Sequence, residues 1–287
     1  MTEAAGRSPK AKPGSGIGRI AVQILLTLVA ALEVIPVLEV VNLSLKTRRE
    51  LYVGNPLALP ERLIWENYRT AFARLKVGTT FFNTFFYTAA SVAAIALLSS
   101  AAAWAIARNR GRFFKLAYGY FIVGILIPFQ ALFLPIYVIG YSFHLTNTRY
   151  GIILMYIAVG MSFSVFLMTS FMTQVPVELE EAARIDGCSI YRTYFSVVLP
   201  LLQPAMATLV ILQSFGTWND YLMASLFVSD TRLKTMTVFL QQLFSATSQD
   251  YTSAMAAIVI LFVPIVALFV ALQRYFIKGI TVGAVKG

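Results

Sequence analysis

From Val77 to Ala107 the chain runs 31 residues without an Asp, Glu, Lys or Arg. A helix crosses the hydrocarbon core of a bilayer with about 20 mostly apolar residues, so this run is long enough to span. In lipid the backbone N–H and C=O groups have no water to bond, and a helix satisfies them within one segment. Five other stretches share this character. The six predicted spans cover residues 20–45, 80–107, 116–143, 150–173, 203–228 and 251–273. Composition agrees: 58% of the residues are hydrophobic, 13% are charged, and mean hydropathy is +0.73. A soluble domain carries about 25% charged residues. The expected fold is an all-α membrane protein with six transmembrane helices over 20–278, preceded by a polar, disordered tail over 1–19.

The net charge is +10. The basic residues sit in short clusters between apolar stretches, an arrangement that suits anionic lipid and membrane orientation and argues against nucleic acid. None falls inside a predicted span. One side collects Arg7, Lys10, Lys12 and Arg19 in the tail, Arg108, Arg110, Arg112 and Lys115 after the second span, Arg184 and Arg192 after the fourth, and Arg274, Lys278 and Lys286 at the end. On the other side the short loops hold only Arg149, Arg232 and Lys234. Seven more, from Lys46 to Lys76, lie there in one extended loop. The short loops predict both termini to be cytoplasmic. Cys188 and His144 are the only residues of their types, which rules out an internal disulfide, a cysteine metal cluster and a histidine triad built from this chain alone. The first apolar stretch is too long for a signal peptide and has no small-residue cleavage pattern. Glu33, Glu39 and Asp220 lie at or near span depth. A proton relay is one reading of such carboxylates; the favoured one is a partnered residue at a helix interface. Pro36, Pro128, Pro135 and Pro264 are expected to kink their spans.

The polar loop over 174–199 carries the most information. Pro176 suits a first helical position, and Glu178, Glu180 and Glu181 follow where the helix dipole favours acids. Glu180 and Arg184 have the spacing and order of a helix ion pair. Leu179, Ala182, Ala183 and Asp186 share a face whose middle is two alanines, small enough for another surface to approach closely. Gly187 ends the helix and Ser189 is placed to cap a second. In that second helix Ile190, Tyr191, Tyr194, Phe195 and Val198 form an apolar stripe, and Pro200 and Pro204 mark the exit. On pattern alone, two interfacial helices that merely tie spans together remain open.

The run Glu181-Ala182-Ala183, then Asp186-Gly187, then Leu199-Pro200 resembles the cytoplasmic EAA loop of ABC importer permeases. Cys188 stands where most such loops have alanine, a small apolar replacement. Residues 60–72 resemble the first outer loop of carbohydrate-type permeases, as do Asn147-Thr148-Arg149-Tyr150-Gly151 and Trp218-Asn219-Asp220. The ending, from Gln273 through Gly279 and Gly283 to Gly287, resembles the second permease of sugar importers, of the type of the maltose system's shorter permease. The resemblance covers residues 20–287. It implies a loop that fits a cleft in a separate, homodimeric ATPase, with Glu178, Glu181, Ala182, Ala183, Asp186, Gly187 and Cys188 coupling the two. It also implies a homologous second permease and an extracytoplasmic sugar-binding protein. No cofactor is expected in this chain; ATP and Mg belong on the ATPase. Consistent with that, no G-x-x-x-x-G-K-S/T run occurs to cradle phosphates here.

Gln213, Trp218, Asn219 and Asp220 are candidates for the sugar path, because aromatic faces beside hydrogen-bonding groups suit sugars. Packing and polar contacts between spans are the competing reading. The small-residue tail over 279–287, with Val285, Lys286 and Gly287, is read either as an ATPase contact or as a frayed end. A secondary transporter or channel working without an ATPase is the alternative function. Its usual signs, intramembrane charge pairs and an internal repeat, are not evident.

Overall fold

The computed structural model describes residues 16–245 and 250–284, and the described residues form helices and connecting turns without a strand. In chain order the helices are α1 (Gly16–Ser44), α2 (Arg48–Tyr52), α3 (Glu66–Arg74), α4 (Val77–Arg108), α5 (Arg112–Leu126), α6 (Phe129–Ser142) and α7 (Arg149–Met172). Then follow α8 (Glu178–Ile185), α9 (Ile190–Thr193), a π-helical turn (Tyr194–Val198), α10 (Leu199–Leu201), α11 (Gln203–Trp218), α12 (Leu222–Phe227), α13 (Met236–Ser245) and α14 (Tyr251–Ala284). Helix α1 already includes residues 16–19, expected to be part of the tail; the rest of that tail lies outside the described residues. Helix α14 likewise runs through 279–284, and Val285, Lys286 and Gly287 lie outside the described residues.

Four of these helices, α1, α4, α7 and α14, are long and apolar enough to cross a membrane. Two further pairs of helices are sharply bent, and counting each pair as one span gives four to six candidate crossings. Helices α5 and α6 meet at 108°, so the expected third span is broken. Ile127, held extended by the proline that follows it, and Pro128 make the break. Residues 190–201 meet α11 at 75°. Here Pro200 has no N–H to give and its ring would collide with a carbonyl one turn back. The chain answers with the π-helical turn, in which Leu199 N–H donates to the Tyr194 carbonyl five residues back. The expected fifth span, 203–228, is also interrupted, because α11 stops at Trp218 and α12 begins at Leu222. Pro36, Pro135 and Pro264 lie inside helices that continue past them.

The bundle is apolar outside and, in part, polar within. Helix α4 packs most extensively on α7, and it buries Thr80, Thr84, Ser91, Ser99 and Ser100. Small side chains let helix backbones approach closely where lipid gives no hydrophobic drive to pack. Gly160 of α7 shows how closely, since a Cβ there would lie 2.6 Å from Ile95 Cδ1 of α4. Helix α11 closes the group against α14, α4 and α7, while α1 touches the bundle chiefly along α14.

Candidate functional site

The loop over 174–199 forms a helix–turn–helix unit at the Arg108 end of α4. Helix α8 begins at Glu178, two residues beyond Pro176, which precedes the helix instead of opening it. Its end is a complete Schellman turn: Cys188 N–H donates to the Ala183 carbonyl at 2.9 Å and Gly187 N–H to the Arg184 carbonyl at 3.0 Å. Gly187 makes this turn at φ +78°, a conformation that costs an L side chain about 1–2 kcal/mol. Ser189 Oγ then accepts from Arg192 N–H at 3.3 Å and caps α9.

The alanine face divides. Ala183 is buried, whereas Ala182, Leu179 and Asp186 are exposed beside Glu178 and Glu181. The apolar stripe of the second helix divides too. Tyr194 and Val198 turn into a core with Ile95, Ala103, Met168 and Met172. Ile190, Tyr191 and Phe195 remain on the surface, and Ile185, 86% exposed, joins them across the Gly187 turn. Cys188 is half-buried within that turn. The unit therefore presents an apolar knuckle edged by acids, where a surface loop with no partner would be polar.

Glu180 departs from its expected partner. It turns inward instead of toward Arg184, with 3% of its side chain exposed. Its Oε1 accepts from Arg108 Nε and its Oε2 from Trp104 Nε1, both at 2.8 Å. Arg108 also donates through Nη2 to the Val175 carbonyl at 2.9 Å. Burial explains the choice: a carboxylate taken out of water needs a cation and filled lone pairs, and the end of α4 supplies both. Local spacing could not find a partner 72 residues away.

The four path candidates separate. Gln213 and Asp220 line one cavity of about 210 Å³ with Phe129, Tyr156 and Thr217. Within it Gln213 Nε2 donates to Ser164 Oγ at 2.8 Å, and Tyr156 donates to Asp220 Oδ2 at 2.8 Å. Asp220 also accepts from Met223 and Ala224 N–H, capping α12. Trp218 lies on a different, almost wholly apolar cavity of about 590 Å³ between α4, α11 and α14, and its Nε1 donates to the Leu261 carbonyl. Asn219 is exposed and bonds back to the Phe215 carbonyl. Of the other acids, Glu39 accepts from Asn42 on its own helix, and Glu33 stands exposed on α1.

Comparison with known proteins gives this arrangement a context. The chain is similar to the probable starch degradation products transport system permease protein of Thermoanaerobacterium thermosulfurigenes, with 37% identity over 85% of this chain and 88% of the relative. It is 32% identical to the melibiose/raffinose/stachyose import permease protein of Bacillus subtilis, over 93% of this chain and 96% of the relative. Among solved structures, a bacterial ABC transporter involved in the import of the acidic polysaccharide alginate shares the fold. The TM-score is 0.79 at 22% identity, covering 94% of this chain and 100% of that one. Residues 95–282, which contain the whole helix–turn–helix loop, match the family described as binding-protein-dependent transport system inner membrane component. The chain belongs to that family, and it is a multi-pass membrane permease component of an ABC import system.

Proposed function

We propose that this chain is one of two homologous permeases in an ATP-driven, binding-protein-dependent sugar importer of a bacterial or archaeal cell membrane. Both termini and the helix–turn–helix loop face the cytoplasm. ATP, with Mg, is bound and hydrolysed on a separate homodimeric ATPase, and an extracytoplasmic binding protein delivers the sugar. The observation that carries this reading is the apolar knuckle of Ile185, Ile190, Tyr191 and Phe195 around the Gly187 turn, at the Arg108 end of α4. Its geometry suits a cleft in another protein. Ala182 admits close approach, while Glu178, Glu181 and Asp186 offer charge at the edge. Ala183 seats the helix on the bundle, and Gly187 and Cys188 fix the turn. Sugar relatives over nearly the full chain support the substrate class.

ATP-driven closure of the ATPase dimer moves this loop, and the two permeases rock between inward-open and outward-open states. Gln213 and Asp220 are the path candidates that share a cavity. The test is assembly of the chain with its ATPase and second permease in liposomes, with the binding protein and sugar on the far side. Sugar should stimulate ATP hydrolysis in the parent complex, and Gly187→Asp should abolish that stimulation. Undiminished stimulation in the variant would remove the loop from coupling. Sugar uptake by the chain without ATP or ATPase would favour a secondary transporter.

A further inference from the structure

The loop over 174–199 is covalently continuous with α7 and α11, yet the side-chain hydrogen bonds of Glu180 and Tyr194 run to α4. Ser100, Trp104 and Arg108 follow one another at four-residue spacing, so they stand on one face of α4 as three rungs. Ser100 Oγ meets the Tyr194 hydroxyl at 2.7 Å. The Trp104 ring lies 5.3 Å from that of Tyr194, and its N–H reaches Glu180. Arg108 closes the set on Glu180 and on the Val175 carbonyl. Glu180 and Arg108 are 3% and 15% exposed, so water screens the pair little.

The covalent exit is softer. The loop's last turn, after Thr193, is π-helical, and Pro200 and the 75° bend at Leu202 follow before α11. Such breaks absorb displacement. Helix α4 has 32 residues and no proline. Its far end is gripped in turn. Asn83 Nδ2 donates to the Arg232 and Lys234 carbonyls at 2.8 and 3.1 Å, Tyr87 OH to the Leu233 carbonyl at 3.0 Å, and Met236 N–H to Thr84 Oγ1 at 3.0 Å. One stiff element thus holds the loop at one end and the segment before α13 at the other.

We infer that α4 is the rod that carries loop movement across the membrane, and that Glu180 with Arg108 is its grip. Glu180 is a positioning residue that acts through α4. The inference rests on the proposed ATPase coupling, and the experiment separates the two. In liposomes holding the whole importer, the readout is sugar moved per ATP hydrolysed, because a merely structural role would lower the amount of complex and leave this ratio alone. A paired Glu180→Leu, Arg108→Leu variant removes the link without leaving a buried charge unpaired. It should still co-purify with the ATPase while the ratio falls at least fivefold. The exchanged pair Glu180→Arg, Arg108→Glu should recover part of that loss. If the leucine pair does not accumulate, Trp104→Phe and Ser100→Ala decide, since the first removes the indole donor to Glu180 and the second removes the hydroxyl that meets Tyr194, along with its bonds to the Ala96 and Leu97 carbonyls of α4 itself. Their combination should lower the ratio about threefold. An unchanged ratio in the leucine pair, or in the Trp104 and Ser100 variants together, overturns the inference. A parent chain that neither binds the ATPase nor consumes ATP for uptake overturns the proposed function instead.

Discussion

Asp250, just ahead of α14, sits between two guanidinium groups, Arg48 of α2 at 2.9 Å and Arg74 of α3 at 3.2 Å. Burial alone would raise its carboxyl. The bond from Arg48, the bond from Ser253 and the Arg48 charge outweigh burial and hold it below the usual aspartate range. A lowered folded value means that the stabilisation is fully present above the unfolded value, about 3.9. It is lost as pH falls through the folded value. Asp250→Asn should cost about 2 kcal/mol at pH 7, between an exposed pair and a fully buried one. In thermal unfolding of purified protein, the gap between parent and variant should close as pH drops below about 4. Two glycines make a contrasting pair. A Cβ at Gly187 would meet open space, so Gly187→Ala carries only the left-handed backbone cost and should leave the protein foldable. A Cβ at Gly151 would run into the Leu145 carbonyl, which is backbone and cannot swing aside. Gly151→Ala should therefore abolish accumulation in the membrane, read by immunoblot against Gly187→Ala. The motif around Gly151 is legible in this light. Thr148 caps α7 on Gly151 N–H, and Asn147 Oδ1 accepts from Ser229 and Asp230 N–H. Residues that marked a resemblance in the sequence are, in the structure, the joint between α7 and the segment after α12.

At the scale of elements, the sequence reads length well and direction poorly. The charge-free run became α4 within a few residues, and the fourth and sixth predicted spans became α7 and most of α14. Hydropathy counts apolar residues, and it is indifferent to the backbone break that Pro128 imposes or to the 75° turn at Leu202. It is also blind to facing. In lipid both sides of a helix can be apolar, so periodicity gives no core; here the buried face is marked by Thr84, Ser91, Ser99 and Gly160 instead. The Glu180 link was hidden for a related reason, because a helix rule compares neighbours and the partner lay on another span. The α4–α7 contact yields its own prediction. Gly160→Ala would press a methyl onto Ile95 Cδ1, itself fully buried, and should destabilise by about 1–3 kcal/mol. Ile95→Val deletes that very carbon. The double variant should be more stable than Gly160→Ala alone, and thermal unfolding of all four proteins gives the coupling energy. Additive losses would mean that the two helices separate elsewhere.

For the whole molecule, sidedness joins the charge pattern to the function. Helix α1 is exposed on every side over residues 18–38, and Glu33 sits midway along it. A carboxylate near the centre of a span costs about 2.5–3.5 kcal/mol when lipid surrounds it, so in the proposed importer the second permease would be the surface that α1 meets. The bundle has one end whose short connections carry Arg108, Arg110, Arg112, Lys115, Arg184 and Arg192, and another whose short connections hold Arg149, Arg232 and Lys234. Basic short loops favour the cytoplasm, so the loop over 174–199 should be reachable only from that side. The chain carries a native reporter for this, since Cys188 is its single cysteine and lies half-buried in the Gly187 turn. A membrane-impermeant maleimide should label Cys188 in inside-out vesicles and leave it untouched in right-side-out ones. Assembly with the ATPase should then reduce the labelling rate severalfold, because the cleft that receives the loop covers the turn. Labelling from the outside would invert the topology and remove the ATPase from reach of the loop. Labelling from the inside that assembly does not slow would keep the topology and move the ATPase contact off the turn. Orientation and docking are thus read at one atom, the Cys188 Sγ, without altering the chain.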